Sequence, residues 1–266
     1  MTSHDDALHL AVRLAHRAGE LQLARRDDLV VRGTKAHAND LVSDVDIASE
    51  ELIVAGLTEA FPDDGVLGEE GTDRVGRSGR RWIIDPIDGT RNYITRSAPW
   101  SVCLALQEDD ATTVAVVHDP AAGETFTAVT GRGAFLNGNA IHASAEDTLD
   151  RALLALTFNP SPQTRGRVAR LLPALLEALG DLRRYPAALQ LAYLAAGRVD
   201  AGLLLDTKPW DVAAGHLIAA EAGVVLTGPG GRPAPELTVS AAPGIRVAFH
   251  RQVAPLLGLP DDENPT

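Results

Sequence analysis

Between Trp82 and Val129 four apolar stretches follow one another: Trp82 to Ile84, Ser101 to Leu106, Thr112 to His118 and Glu124 to Val129. Turn-forming residues at Asp109, Asp110 and Asp119 to Gly123 separate the later three, so this region reads as an antiparallel meander. Beyond Ser144 the pattern changes. Leu153 to Thr157, Gln163 to Leu179, Ala187 to Ala196, Ala201 to Leu205, Asp211 to Ala222 and Val224 to Thr227 alternate between strand and helix character, which predicts an α/β half. Upstream, Leu10, Leu14, Ala18 and Leu21 recur at helical spacing behind acidic residues, predicting a long amphipathic helix from Asp5. After a polar stretch from Gly33 to Asn39, Ile47, Ala48, Leu52, Ala55 and Ala60 predict a second helix that Phe61 and Pro62 end. An α+β half over residues 1–146 is therefore expected to precede an α/β half over residues 147–266, with a soft boundary near Ser144 to Asp150. At 266 residues the two halves can share one core, since single cores stop growing near ~250 to 300 residues.

Hydrophobic residues make up 45% of the chain and charged ones 23%, enough apolar material for a core. The formal net charge of −12 argues against general electrostatic partnership with nucleic acid or an anionic membrane. An anionic substrate would need local help, and acids that hold divalent cations invert the local sign. The single cysteine, Cys103, rules out an internal disulfide framework and alternates with apolar neighbours as a core residue does. No apolar run has signal-peptide or bilayer-spanning length, so the cytoplasm is the expected location.

The segment Asp85-Pro86-Ile87-Asp88-Gly89-Thr90 reads as a strand that stops at Asp85 and Pro86 and enters a turn. It offers two carboxylates, a main-chain carbonyl and a hydroxyl, and such oxygens suit Mg²⁺. Asp, Pro and Gly are also what an ordinary surface turn is made of, so the segment alone leaves both readings open. Three others accompany it: Asn39 to Asp46, Gly68-Glu69-Glu70-Gly71, and Pro209-Trp210-Asp211. A helix-capping role is the structural alternative for Asp211, and Trp210 is expected to pack in the core. The eight histidines lack metal-type spacing and read as structural, no Gly-x-Ser-x-Gly elbow or P-loop occurs, and Gly131-Arg132-Gly133 reads as a hairpin turn.

These four segments, in this order and spacing, resemble the signature set of the inositol monophosphatase family, within the lithium-sensitive, Mg²⁺-dependent phosphatases. The resemblance covers nearly the whole chain and implies a layered α/β/α/β/α sandwich of the sugar-phosphatase type and a homodimer. It further implies that Glu69, Asp85 and the Ile87 carbonyl hold one Mg²⁺ while Asp85, Asp88 and Asp211 hold another, with a third, weaker ion on Glu69. Glu69 and Thr90 are implied to orient the attacking water, with Asp46 hydrogen-bonded to Thr90. Gly89, Thr90, Asp211 and Ala187 are implied to meet the substrate. Lys35 falls where the family often has a lysine near the entrance, or is a solvated surface lysine. Converging acids without an adjacent arginine repel one another and raise their pKa values, so the cluster makes sense chiefly with cations in it.

Two departures bear on the substrate. Tyr185-Pro186-Ala187 stands where inositol-selective members carry Gly-Ser-Ala or Gly-Thr-Ala, and Leu204 stands where they carry a glutamate that accepts sugar hydroxyls. Arg91 is similar to the basic residue of histidinol-phosphate phosphatases in the same family. The expected substrate is thus a small-molecule phosphate ester, inositol-1-phosphate or a related polyol phosphate first and histidinol phosphate second. A non-catalytic scaffold of the same fold is the alternative from another class, and its mark would be a lost metal ligand.

Overall fold

The computed structural model describes residues 3–34, 41–97 and 99–260. Helix α1 (His4–Arg25) starts at a reciprocal cap, in which Ser3 Oγ accepts from the Asp6 N–H and the Asp6 carboxylate accepts from the Ser3 N–H. A two-stranded ribbon of β1 (Val31–Thr34) and β2 (Leu41–Ser43) then leads into α2 (Asp44–Ala60), capped the same way by Ser43 and Asp46. Next come β3 (Gly65–Gly68), β4 (Asp73–Arg74), β5 (Arg80–Asp88), α3 (Thr90–Ile94), β6 (Ser101–Glu108), β7 (Ala111–Asp119), β8 (Glu124–Val129), β9 (Ala134–Leu136) and β10 (Asn139–Ile141). Their strands form an eight-stranded sheet in the order β10-β9-β8-β7-β6-β5-β3-β4. The run from β5 to β8 is the expected antiparallel meander, and Gly131 to Gly133, both with positive φ, form the turn between β8 and β9.

The remainder is β11 (Leu153–Phe158), α4 (Pro162–Ala178), β12 (Asp181–Arg183), α5 (Ala187–Ala195), β13 (Ala201–Leu205), α6 (Pro209–Glu221), β14 (Val225–Thr227), β15 (Leu237–Ala241) and α7 (Arg246–Leu257). Its five strands order as β12-β11-β13-β15-β14, parallel from β12 to β13 and antiparallel from β13 to β14. Strand β15 and helix α7 carry no separate expectation in the sequence.

Alternation along the strands builds the layers, because successive side chains point to opposite faces. Trp82, Ile84, Leu104 and Val116 pack with Leu14 of α1 and Ile53 and Leu57 of α2. Ile83, Cys103, Ala105 and Val117 face the other way, against α5 and α6 through Ala188, Ala192, Ala213 and Ile218. The far side of α5 and α6 meets Ala155 and Leu204 through Leu191 and Val212, and Leu154, Leu156, Leu203 and Leu205 turn outward toward Val168 and Leu171 of α4 and Phe249 of α7. Each sheet is therefore apolar on both faces, which explains the near-continuous apolar runs of β5, β6 and β13. The result is the expected order of helix, sheet, helix, sheet, helix. Small residues bring α5 and α6 close together: a Cβ on Gly215 would lie 2.7 Å from Leu191 Cδ1.

Candidate active site

Asp85 and Asp88 are three residues apart on one strand, so a regular pleat would aim them at opposite faces. A bulge changes that. Asp85 stands opposite Cys103 and Asp88 opposite Ser101, so three steps on β5 match two on β6. Pro86 occupies the irregular stretch, where its missing N–H costs no ladder bond. The strand thus runs on to Asp88 instead of stopping at Asp85 and Pro86 as the sequence suggested. Gln22 of α1 holds the bulge by donating from Nε2 to the Pro86 carbonyl at 2.8 Å, and its Oε1 accepts from Trp100 Nε1 at 2.9 Å.

Carboxylate oxygens of Asp85, Asp88 and Asp211 all lie within 4.8 Å of one another. Asp85 accepts from the Ile87 N–H at 3.0 Å and is hydrogen-bonded to Glu69, which begins where β3 ends beside β5. Asp88 accepts from the N–H groups of Ala187 at 3.3 Å and Ala188 at 2.8 Å, at the start of α5. Asp211 occupies the first turn of α6 and accepts from the Lys208 N–H at 2.7 Å, so it is both a cap and a member of the cluster. The Thr90 hydroxyl lies 3.1 Å from Asp46 Oδ1 and 3.0 Å from the Ile87 carbonyl oxygen, and it donates toward these acceptors. Gly89, at φ 96, makes the left-handed step into α3, and a Cβ there would lie 2.8 Å from Pro186 Cγ.

Burial, and then the charges of Glu69, Asp88 and Asp211, hold the Asp85 carboxyl well above the usual carboxylate range. Burial also pushes Asp88 up to about 7, with Glu69 adding to it, and Asp211 up to about 7, with Asp88 adding to it. Three crowded carboxylates with raised pKa values form an all-oxygen donor set that a divalent cation such as Mg²⁺ would stabilise. Burial and these same acids raise the pKa of Cys103, whose thiol is inert in this position.

Glu69, Asp88, Gly89, Thr90, Ala187 and Asp211 line one cleft of about 760 Å³. The Ala187 N–H is already engaged by Asp88, so what Ala187 offers the cleft is its methyl group and the surrounding backbone. Trp210, expected in the core, is half-buried: it packs at the edge of the middle helix layer and lines the cleft, and its Nε1 has no hydrogen-bond partner among the described residues. Leu204 is fully buried between β13's neighbours and the middle helices, and it does not reach the cleft. Lys35, with Asn39 and Asp40, lies outside the described residues. One contributor gave no sequence signal. Glu50 of α2, buried at 4% exposure, accepts from the Glu70 N–H at 2.7 Å, the Thr72 N–H at 3.0 Å and Thr72 Oγ1 at 2.7 Å, fixing the loop that carries Glu69.

The chain is 37% identical over 225 residues to the Nus factor SuhB of Escherichia coli (strain K12), covering 83% of this chain and 84% of that one. A crystal structure of the extragenic suppressor protein suhB from Bartonella henselae superposes with a TM-score of 0.88 at 31% identity, over 93% of this chain and 98% of that one. The IMPase of Thermotoga maritima gives a TM-score of 0.84 at 31% identity, over 95% and 98% of the two chains. A sequence model of the inositol monophosphatase family matches residues 4–257. With that match spanning both sheets and the acidic cleft between the elements that carry its motifs, the chain belongs to the inositol monophosphatase family.

Proposed function

We propose that this chain is a Mg²⁺-dependent phosphomonoesterase acting on a small polyol or sugar-like phosphate, inositol-1-phosphate or a related compound first. The convergence of Asp85, Asp88 and Asp211 within 4.8 Å carries this reading. In it Glu69, Asp85 and the Ile87 carbonyl hold one ion and Asp85, Asp88 and Asp211 a second, with a third resting on Glu69. The ions, when bound, neutralise phosphate oxygens and make a water a better nucleophile at neutral pH. The protein's own part is positioning. Thr90, whose proton is directed to Asp46 and the Ile87 carbonyl, keeps lone pairs with which to accept from a water, while Glu69 receives that water's other proton. Backbone N–H groups of Gly89 and Thr90 meet the phosphate where the chain turns into α3. Residues 1–146 supply most of these groups, and residues 147–266 supply Asp211 and the pocket wall. The expected assembly is a homodimer, checked by light scattering in solution.

Arg91, which lines the cleft, favours histidinol phosphate as the second substrate. The name Nus factor carried by relatives at 37 to 39% identity favours a second role, as an assembly factor that does not depend on turnover. The retained carboxylates argue that catalysis is kept as well. The deciding experiment is Mg²⁺-dependent phosphate release from inositol-1-phosphate, histidinol phosphate and glycerol 2-phosphate, with and without chelator. Release abolished by chelator supports the phosphatase, whereas silence in every case together with no Mg²⁺ binding by calorimetry overturns it.

A further inference from the structure

The cleft of this acidic chain has a basic side. Arg91, in the first turn of α3, and Arg184, in the connection between β12 and α5, both line it. Arg184 is held in place from beneath: its guanidinium lies 4.3 Å from the Phe158 ring centroid, and Nη2 donates to the Phe158 carbonyl at 3.2 Å. That arrangement uses one of five N–H donors and leaves the planar fork with no carboxylate paired to it among the described residues. Partial burial and the nearby Arg91 charge both pull the Arg184 pKa down, so the two guanidinium groups are near enough to disfavour each other. In the phosphomonoesterase reading the scissile phosphate belongs to the carboxylate cluster and the Gly89 and Thr90 N–H groups, which leaves the basic pair for another part of the substrate. Both guanidinium groups line one cleft, and a guanidinium fork matches carboxylate or phosphate oxygens two at a time.

We propose that the preferred substrate carries a second anionic group, phosphate or carboxylate, besides the scissile phosphate, and that Arg184 together with Arg91 binds it. This inference rests on the phosphomonoesterase reading and refines its substrate class. Arg184 is a specificity residue here, acting on the part of the substrate that does not react.

Matched pairs test it: glycerol 2-phosphate against 2-phosphoglycerate, and adenosine 3'-monophosphate against adenosine 3',5'-bisphosphate. In the wild-type protein the doubly anionic member of at least one pair should show kcat/KM higher by about tenfold, the worth of one charge-assisted contact, mostly through KM. The pair that responds distinguishes carboxylate from phosphate. In Arg184→Gln that ratio should collapse toward parity, with Arg184→Lys intermediate and Arg91→Gln giving a partial loss. Parity within both pairs in the wild type, or a preference that survives Arg184→Gln, overturns the proposal. Should none of the four be hydrolysed, the phosphatase reading is judged separately, by release from inositol-1-phosphate and histidinol phosphate and by Mg²⁺ calorimetry. Calorimetry of the same compounds on the Ca²⁺-loaded protein then still decides the second anion by the same ratio.

Discussion

Replacing Asp88 by Asn should make the metal-free protein more stable while removing its activity. In the folded chain burial raises the Asp88 pKa from 3.8 to about 7. A folded-state pKa above the unfolded one means that the group's contribution to stability is full below pH 3.8 and is lost as pH rises through about 7. At pH 8 the ionised Asp88 consequently costs about 4 kcal/mol relative to a neutral group in the same place. Asn removes that charge but accepts through only one oxygen, so one of the bonds from Ala187 and Ala188 is lost, an offset of about 1 to 2 kcal/mol. The net gain is about 2 kcal/mol, or roughly 5 °C in melting temperature for a chain of this size. Mg²⁺ should act unequally on the two proteins: at a hundred times its Kd it adds about 2.7 kcal/mol to the wild type by mass action and little to the variant. Turnover should fall by at least about a hundredfold. Scanning calorimetry at pH 8 with and without Mg²⁺, alongside phosphate release, reads all three quantities. A variant that melts below the wild type without metal, yet still gains stability from Mg²⁺ and hydrolyses substrate at the normal rate, would refute the assignment of Asp88 to the metal cluster.

Gly89→Ala combines a left-handed backbone with a Cβ placed 2.8 Å from Pro186 Cγ, and should lose about 2 kcal/mol or more; an unchanged urea midpoint would contradict this. Glu50→Gln leaves a single acceptor for the Glu70 and Thr72 donors, so it should cost about 1 to 3 kcal/mol and weaken Mg²⁺ binding measured by calorimetry. Unaltered Mg²⁺ affinity would confine Glu50 to a stabilising role. His118 has its pKa lowered from 6.5 to about 4 by burial, with His16 adding to it. Stability from the neutral ring is therefore present above pH 6.5 and drains away as pH falls toward 4, by up to about 3 kcal/mol. His118→Gln should flatten that part of the stability curve, although His216, lowered in the same direction by burial, keeps a share of the slope. Identical acid slopes in variant and wild type would remove His118 from the account.

The layers were legible because their signal is local. Trp82, Ile83 and Ile84 differ only in which face they serve, and each face is covered by helices, so an uninterrupted apolar run followed by turn residues identifies the strand. The acidic cluster was legible as a set of motifs but not as a geometry. The bulge that turns Asp85 and Asp88 to one side exists only in the register of β5 against β6, and Pro86 read alone signals the end of a strand. Asp88 is bonded to backbone donors of Ala187 and Ala188 about 100 positions away, so its pKa depends on a helix that no local pattern connects to it. Glu50 went unnoticed for the same reason, since on α2 it has the appearance of a solvated helix acid until the Glu70–Thr72 loop folds over it. Trp210 packs against the middle helices as expected and also lines the cleft, because a large aromatic beside an acid satisfies core and cleft patterns equally and only the position of α6 at the cleft edge shows that it serves both. The substrate question follows this rule as well. Leu204 and Arg91 could be recognised as departures one at a time, but Arg184 acquires meaning only when β11 brings Phe158 beneath it and α3 brings Arg91 to the same cleft. What this chain recognises is thus written in contacts between segments, and the ratio of doubly to singly anionic substrates in Arg184→Gln is where those contacts become measurable.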